Sequence, residues 1–236
     1  MNAYEKSNEI TAIPKLLELL DLHGALVTID AMGCQKEIAK QIIDGGGDYI
    51  LPVKDNQPNL LADIRECLAK ALDCNFKDYC WDRWDTFESG HGRQEKRSCL
   101  ILNNPVGIRN EKAWEGLKVI GMCISERKVK GEWSEEVRYF IGSRPMSAQE
   151  YGTAIRKHWG IENNLHWQLD ITFREDANRV QRRHGAENLG LVRRLAVALL
   201  KRHPSEASMK CKRLAAAYNT DFLEEILQPK DNLEKL

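Results

Sequence analysis

The stretch His158-Trp159-Gly160-Ile161-Glu162-Asn163-Asn164-Leu165-His166-Trp167-Gln168-Leu169-Asp170 decides how this chain is read. At 100° per residue, Ile161, Leu165, Leu169 and Thr172 share one helical face. His158, Glu162 and His166 recur every four residues along the border of that face. A carboxylate there is held by apolar packing and still reaches a cleft. That suits a catalytic or metal-binding acid better than a solvated charge. The plain alternative is hydrogen bonding along a helix surface. Zinc would ask for a third soft ligand nearby, and the stretch offers none.

Upstream, Ala25-Leu-Val-Thr-Ile-Asp30 is a continuous apolar, β-branched run, as expected of a strand buried on both faces. Asp30 closes it, and ligands of open α/β sheets lie just beyond such strand ends. The competing role for Asp30 is a helix cap. A helix over Ser7–Leu20 precedes the strand, and Gln35–Ile43 follows it as a second helix. Gly45-Gly46-Gly47 ends that helix and is not a phosphate loop, since it follows a helix and lacks the Lys-Ser/Thr pair. Tyr49–Val53 then reads as a strand and Asn59–Leu72 as a helix. Helix, strand, helix, strand is α/β wiring with a right-handed crossover.

From Tyr79 to Ser143 the pattern changes to strand formers and turn pairs, notably Arg93–Leu102, Lys118–Lys128 and Glu135–Ile141, with Lys130-Gly131 as a hairpin tip. Helices resume after Ser147, a plausible cap for a helix through Glu162. Another covers Ala186–Arg202 ahead of Pro204, and the last lie within Met209–Leu227. The expected division is 1–75, 76–143 (a β-rich insertion) and 144–236.

The bulk numbers fit an ordinary globular chain: 236 residues, 42% hydrophobic and 30% charged. No apolar run is long enough to span a bilayer, and the N-terminus lacks a signal-peptide core, so a cytoplasmic protein is expected. The seven cysteines show no C-x-x-C spacing, which predicts reduced and mostly packed thiols. A net charge of zero conceals an asymmetry. Residues 174–213 hold eleven Lys/Arg against four Asp/Glu. Such a basic segment, including Arg182, Arg183 and Arg194, is a candidate nucleic-acid contact, and a solvated helix face is its bland counterpart.

Two carboxylates brought together, Asp30 and Glu162, can hold hard cations such as Mg²⁺. A pair of ions about 3.5–4 Å apart activates water against a phosphodiester. That chemistry usually asks for a third acid, with Asp170, Glu175 and Asp176 as candidates. On a strand, Arg93, Glu95 and Arg97 share a face, either as an ion-pair ladder or as a grip on phosphates. Trp81, Trp84 and Trp133 in the same region can stack on bases, although core packing is the commoner fate of tryptophan.

Three motifs in this order resemble a known family: Thr28-Ile-Asp30-Ala-Met-Gly-Cys-Gln35, His91-Gly-Arg93-x-Glu95-x-Arg97, and His158-Trp-Gly-Ile-Glu162-Asn-x-Leu-His166-Trp-x-Leu-Asp170-x-x-Phe173-x-Glu175-Asp176. They are similar to those of the H-repeat-associated proteins, insertion-sequence transposases of the DDE class. The resemblance covers essentially the whole chain. It implies an RNase H-like core with a β-rich insertion between the second and third acids, and C-terminal helices. It also implies Mg²⁺-dependent (or Mn²⁺-dependent) strand cleavage and transfer on double-stranded transposon ends, at the nucleoid, by a homo-oligomer. Asp30 matches the second acid and Glu162 the third, with His158, His166 and Asp170 as additional candidates. The wider group's Tyr-x-x-Arg-x-x-x-Glu-x6-Lys signature is kept here only at Glu162; Ile155, His158 and Leu169 fill the other places. Nothing before Asp30 matches the family's first Asp, so the chain resembles the C-terminal part of a longer protein and is expected to be inactive alone. Two other readings are a non-catalytic DNA-binding remnant and an unrelated metal-dependent nuclease using Asp30, Glu162 and Asp170.

Overall fold

Four long strands join the upstream α/β segment in one sheet. The computed structural model describes residues 9–90, 93–129, 131–161, 165–180 and 184–228. The chain divides into two compact units, Met1–His158 and Trp159–Leu236. The strands are β1 (Leu26–Thr28), β2 (Asp48–Val53), β3 (Cys80–Gly90), β4 (Arg93–Asn103), β5 (Val119–Val129) and β6 (Glu132–Gly142). They form a mixed sheet in the order β1-β2-β6-β5-β4-β3. β1 and β2 are parallel, and every other pairing is antiparallel. The helices of this unit are α1 (Glu9–Glu18), α2 (Lys36–Asp44), α3 (Pro58–Asp73) and α4 (Ala148–Ile161).

The sheet runs unbroken through the expected boundary at residue 75, because β2 pairs directly with β6. Likewise α4 up to His158 belongs with the sheet, since the ring of Tyr151 is wholly buried edge-on to Phe140. Chain segments of different pattern thus share one hydrogen-bonded layer, and the physical division falls between His158 and Trp159.

Side-chain alternation sorts the sheet into two faces. Tyr49, Leu51, Leu100, Leu102, Ile120 and Ile141 pack with α2 and α3 into the main core. The opposite face receives α4: Tyr151 lies against Gly121 and Gly142, and Gly152 lies against Trp84. Ser147 caps α4 in a capping box, its hydroxyl accepting from Glu150 N at 3.2 Å while Glu150 Oε2 accepts from Ser147 N at 2.9 Å. α2 closes over Gly46 at φ +75°, with Gly47 N donating to Ile42 O at 3.0 Å.

One expectation fails. The Ala25–Asp30 strand is not buried on both faces: Leu26, Val27 and Thr28 are each half-buried. The cause is position, because β1 is an edge strand that pairs with β2 alone among the described residues. Two of the three tryptophans also depart from core packing, Trp81 being 44% and Trp133 54% exposed. All seven cysteines are free; Cys34, Cys67 and Cys99 are buried, whereas Cys74, Cys80 and Cys211 are exposed. No helix among the described residues is long and apolar enough to cross a membrane.

The second unit holds a short π-helical turn (Gln168–Thr172), α5 (Gly185–Arg202), α6 (Met209–Tyr218) and α7 (Thr220–Leu227). Leu169 and Thr172 are buried as the periodicity predicts. The π turn closes at Arg174, whose φ is +52°, with Glu175 N donating to Leu169 O at 3.0 Å. Lys212 is buried, and its ammonium donates to Leu200 O (3.2 Å) and His203 O (2.9 Å), satisfying the end of α5.

Candidate active site

Asp30 stands two residues past the end of β1, exposed to solvent. It caps a short 3-10 turn, Ala31–Gly33, with its Oδ1 accepting from Gly33 N at 3.2 Å. Cap and candidate ligand are therefore compatible roles: one oxygen is oriented by the backbone, and the carboxylate remains open. Gly33 is required by close approach, because a Cβ there would come within 2.3 Å of Ile29 Cγ2.

The adjoining loop fixes this turn from the side. Asn56 Nδ2 donates to Ala31 O at 2.7 Å, and Gln57 Nε2 donates to Cys34 O at 2.9 Å. Both carboxyl-end loops of the parallel pair are thereby joined into one rim, where α/β sheets place ligands.

His158, 130 positions from Thr28, reaches β1: the hydroxyl of Thr28 and His158 Nδ1 are 3.2 Å apart. The last turn of α4 thus meets the strand that delivers Asp30, and two of the three sequence motifs touch. Glu162 lies outside the described residues, as do Arg182, Arg183 and His91. His166 is exposed and Asp170 is half-buried in the second unit, where Asp170 O accepts from Arg174 N at 3.1 Å. In the same unit Glu175 Oε1 and Arg194 Nη1 both border Gly190. Among the described residues, no three His, Cys, Asp or Glu side chains gather in a group able to hold a metal ion. The donor type at Asp30 nevertheless suits a hard cation: a solvent-open carboxylate with one oxygen held by a backbone amide.

The Arg93/Glu95/Arg97 motif becomes a buried cluster. Glu95 is 5% exposed on β4. It bonds to Arg93, to Arg97 at 2.6 Å, and to Arg127 of β5 at 3.4 Å. Burial pushes the Glu95 carboxyl up, but the Arg93 hydrogen bond and the charges of Arg97, Arg93 and Arg127 outweigh it and hold the group below its usual range. Arg97 also reaches Glu88 at 3.4 Å, and Glu88 holds Arg156 of α4 at 2.6 Å. The ion-pair ladder is therefore real, and its excess of guanidinium leaves a positive surface.

Some of the basic segment is internal. Lys212 is buried as described, and Arg213 bonds to Thr172 O with its guanidinium 5.5 Å from the centre of Phe173. Arg194 is exposed.

Residues 3–199 match the family described as Transposase DDE domain. The chain belongs to that family. Among relatives of this DDE transposase domain is YncI of Escherichia coli O157:H7, a transposase by name, 43% identical over 227 residues, which are 94% of this chain and 57% of that protein. The H repeat-associated protein YhhI of Escherichia coli strain K12, also a transposase by name, is 37% identical over 229 residues, 94% of this chain and 60% of that protein. YbfD, an H repeat-associated protein of the same strain, is 44% identical over 101 residues, 43% of this chain and 39% of that protein. The chain thus spans about 60% of the length of the longest-matching relatives. No solved structure matches it.

Sequence reasoning did not anticipate the Thr28–His158 contact. Its signal was available: Thr28 and Asp30 alternate onto one face of an extended strand, so a side chain of α4 directed along that face meets Thr28. Buried Asp63 was also missed. Its Oδ1 accepts from Arg109 Nε at 2.7 Å and its Oδ2 from Arg109 N at 2.8 Å, pinning the loop after β4 to α3. An Asp amid the apolar face of Leu60, Leu61, Ile64 and Leu68 was the clue.

Proposed function

We propose that Asp30 and Glu162 are the second and third acids of an RNase H-like DDE transposase core, acting in strand cleavage and transfer at the ends of a transposable element. The supporting observation is the Thr28–His158 contact, which carries α4 to β1 four positions before Glu162 in the sequence. Residues 1–75 and 144–236 then form core segments, and 76–143 the insertion. Asp30 and Glu162 would hold Mg²⁺, or Mn²⁺ in its place, through carboxylate oxygens, with Asp170, His158 or His166 as neighbours. Such ions, when bound, polarise a phosphodiester and acidify water. Gly33 N orients the Asp30 carboxylate, and Thr28 orients the His158 ring. Cations of the basic segment, Arg182, Arg183 and the exposed Arg194, contact duplex phosphates without regard to sequence. Arg93 and Arg97 add the positive side of the Glu95 cluster. The place of action is the cytoplasm, on the nucleoid. Among the described residues β1 pairs with β2 alone, and its other edge would accept a further strand or a second copy, which favours oligomers.

Iron-directed cleavage tests the paired acids. Fe²⁺ substituted for Mg²⁺, with ascorbate and peroxide, should cut the polypeptide near both residue 30 and residue 162, and Asp30→Asn or Glu162→Gln should abolish both cuts. Cutting at one site alone sinks the paired-acid reading. A polypeptide of these 236 residues, with no counterpart of the first acid, should not nick DNA carrying the element's ends in Mg²⁺. Nicking that disappears in Glu162→Gln would show that another residue supplies that acid.

A further inference from the structure

The rim that carries Asp30 continues into a groove of about 200 Å³. Its base is β6 where that strand runs past the end of β2: Val53 is the last residue of β2 and pairs with Tyr139, leaving Glu132–Arg138 beyond it. One wall is α3 with Arg65, and the other is the β2–α3 loop with Lys54 and Asp55. The same loop, two residues on, is tied to the Asp30 turn by Asn56 and Gln57. The groove therefore adjoins the Asp30 loop along a single connected rim.

The charges in the groove differ in their engagement. Arg138 is occupied by Glu136 through two bonds of 2.7 and 2.6 Å. Lys54 and Arg65 are exposed and, among the described residues, form no ion pair. The Arg65 guanidinium lies 5.1 Å from the centre of the Tyr139 ring, which holds it in place without consuming its charge. A cation fixed on an aromatic ring and a second on a neighbouring loop, both unneutralised, match successive phosphates of a nucleic-acid backbone.

We infer that this groove is a DNA-backbone contact, in which Lys54 and Arg65 bind phosphates of the strand leading to Asp30. The inference rests on the transposase reading and adds a contact surface in the first unit, independent of the basic segment 174–213. Asp55 faces the same groove and opposes phosphate.

Fluorescence anisotropy of the full chain with a labelled DNA duplex across a salt series tests this. The double variant Lys54→Ala/Arg65→Gln keeps the Arg65 stem against Tyr139, and circular dichroism confirms its fold. It should bind roughly tenfold weaker at low salt, with the salt slope reduced by about 2. Asp55→Asn should bind tighter, a change of sign that a merely structural role does not produce. Lys112→Ala/Lys118→Ala, in the β4–β5 connection and outside the groove lining, should keep the parent slope. Unchanged binding in the groove variant, an equal loss of slope in the control pair, or weaker binding by Asp55→Asn overturns the inference while leaving the DNA reading intact. A parent chain with no salt-dependent DNA binding overturns both.

Discussion

The sheet joins two constructions. At one end β1 and β2 pair in parallel over three residues, and β1 is half-buried. At the other, β3 to β6 form an antiparallel meander of eleven-residue strands whose inner positions, such as Ile101 and Ile120, are fully enclosed. The candidate acid belongs to the slight end. Stability is concentrated where the hydrogen-bond ladders are long, whereas Asp30 is held by a glycine turn, two side-chain-to-backbone bonds and one hydroxyl–imidazole contact. Ligand-binding loops are commonly drawn from the less stable parts of a fold.

The contrast can be broken most sharply by truncating one apolar side chain in each part. Ile120→Ala should cost about 4 kcal/mol, because a closed site cannot collapse around the cavity, while Val27→Ala on the open edge should cost about 1 kcal/mol. Urea unfolding midpoints give both, and equal losses would mean that the two ends are packed alike. The next effect belongs to the meander's charge cluster. Glu95→Gln should cost about 2 kcal/mol at neutral pH, less than a fully buried pair, because Arg93 and Arg127 are about half exposed and return to water. The Glu95 carboxyl is depressed in the folded state, so its contribution is full above the ordinary value of 4.5 and fades as pH falls through the lower folded value. Urea midpoints from about pH 6 down to about pH 3 should fall less steeply in Glu95→Gln than in the parent. A parallel pair of curves would remove the charge cluster as the cause. The smallest effect sharpens the comparison at the site itself. Gly33→Ala should cost about 1–2 kcal/mol by forcing Ile29 aside. It should also speed amide exchange at Gly33 while leaving β5 protected, and uniform exchange across the sheet would contradict a locally held turn.

Much of this architecture was legible in residue patterns. The α2, β2 and α3 segments declare themselves through apolar periodicity and glycine or proline punctuation, and strand parity alone puts Arg93, Glu95 and Arg97 together. What escaped depends on neighbours in space. The apolar run at Leu26–Thr28 looks doubly buried because its composition is, yet burial is decided by how many strands flank it. Arg127 joins Glu95 only through the β4–β5 register, in which Glu95 and Arg127 are paired across the ladder. The groove at Lys54 and Arg65 has no local signature, since it arises where β6 outruns β2. The strand Cys80–Gly90 was hidden within a merely β-prone stretch, because its inward positions Asp82, Trp84 and Thr86 are mostly polar while Trp81 and Phe87 lie on the exposed face.

The overrun of β6 past β2 has a metric consequence. Antiparallel strands rise about 3.4 Å per residue, and B-DNA advances about 3.4 Å per base-pair step. Glu132 to Arg138 therefore extends the sheet by roughly 24 Å, close to seven base pairs or two-thirds of a helical turn. Side chains alternate between faces, so a duplex laid along one face of this overhang would meet every second residue, about one side chain per two base pairs. Lengthening or shortening the meander by paired residues would then move its tip along such a duplex in whole base-pair increments.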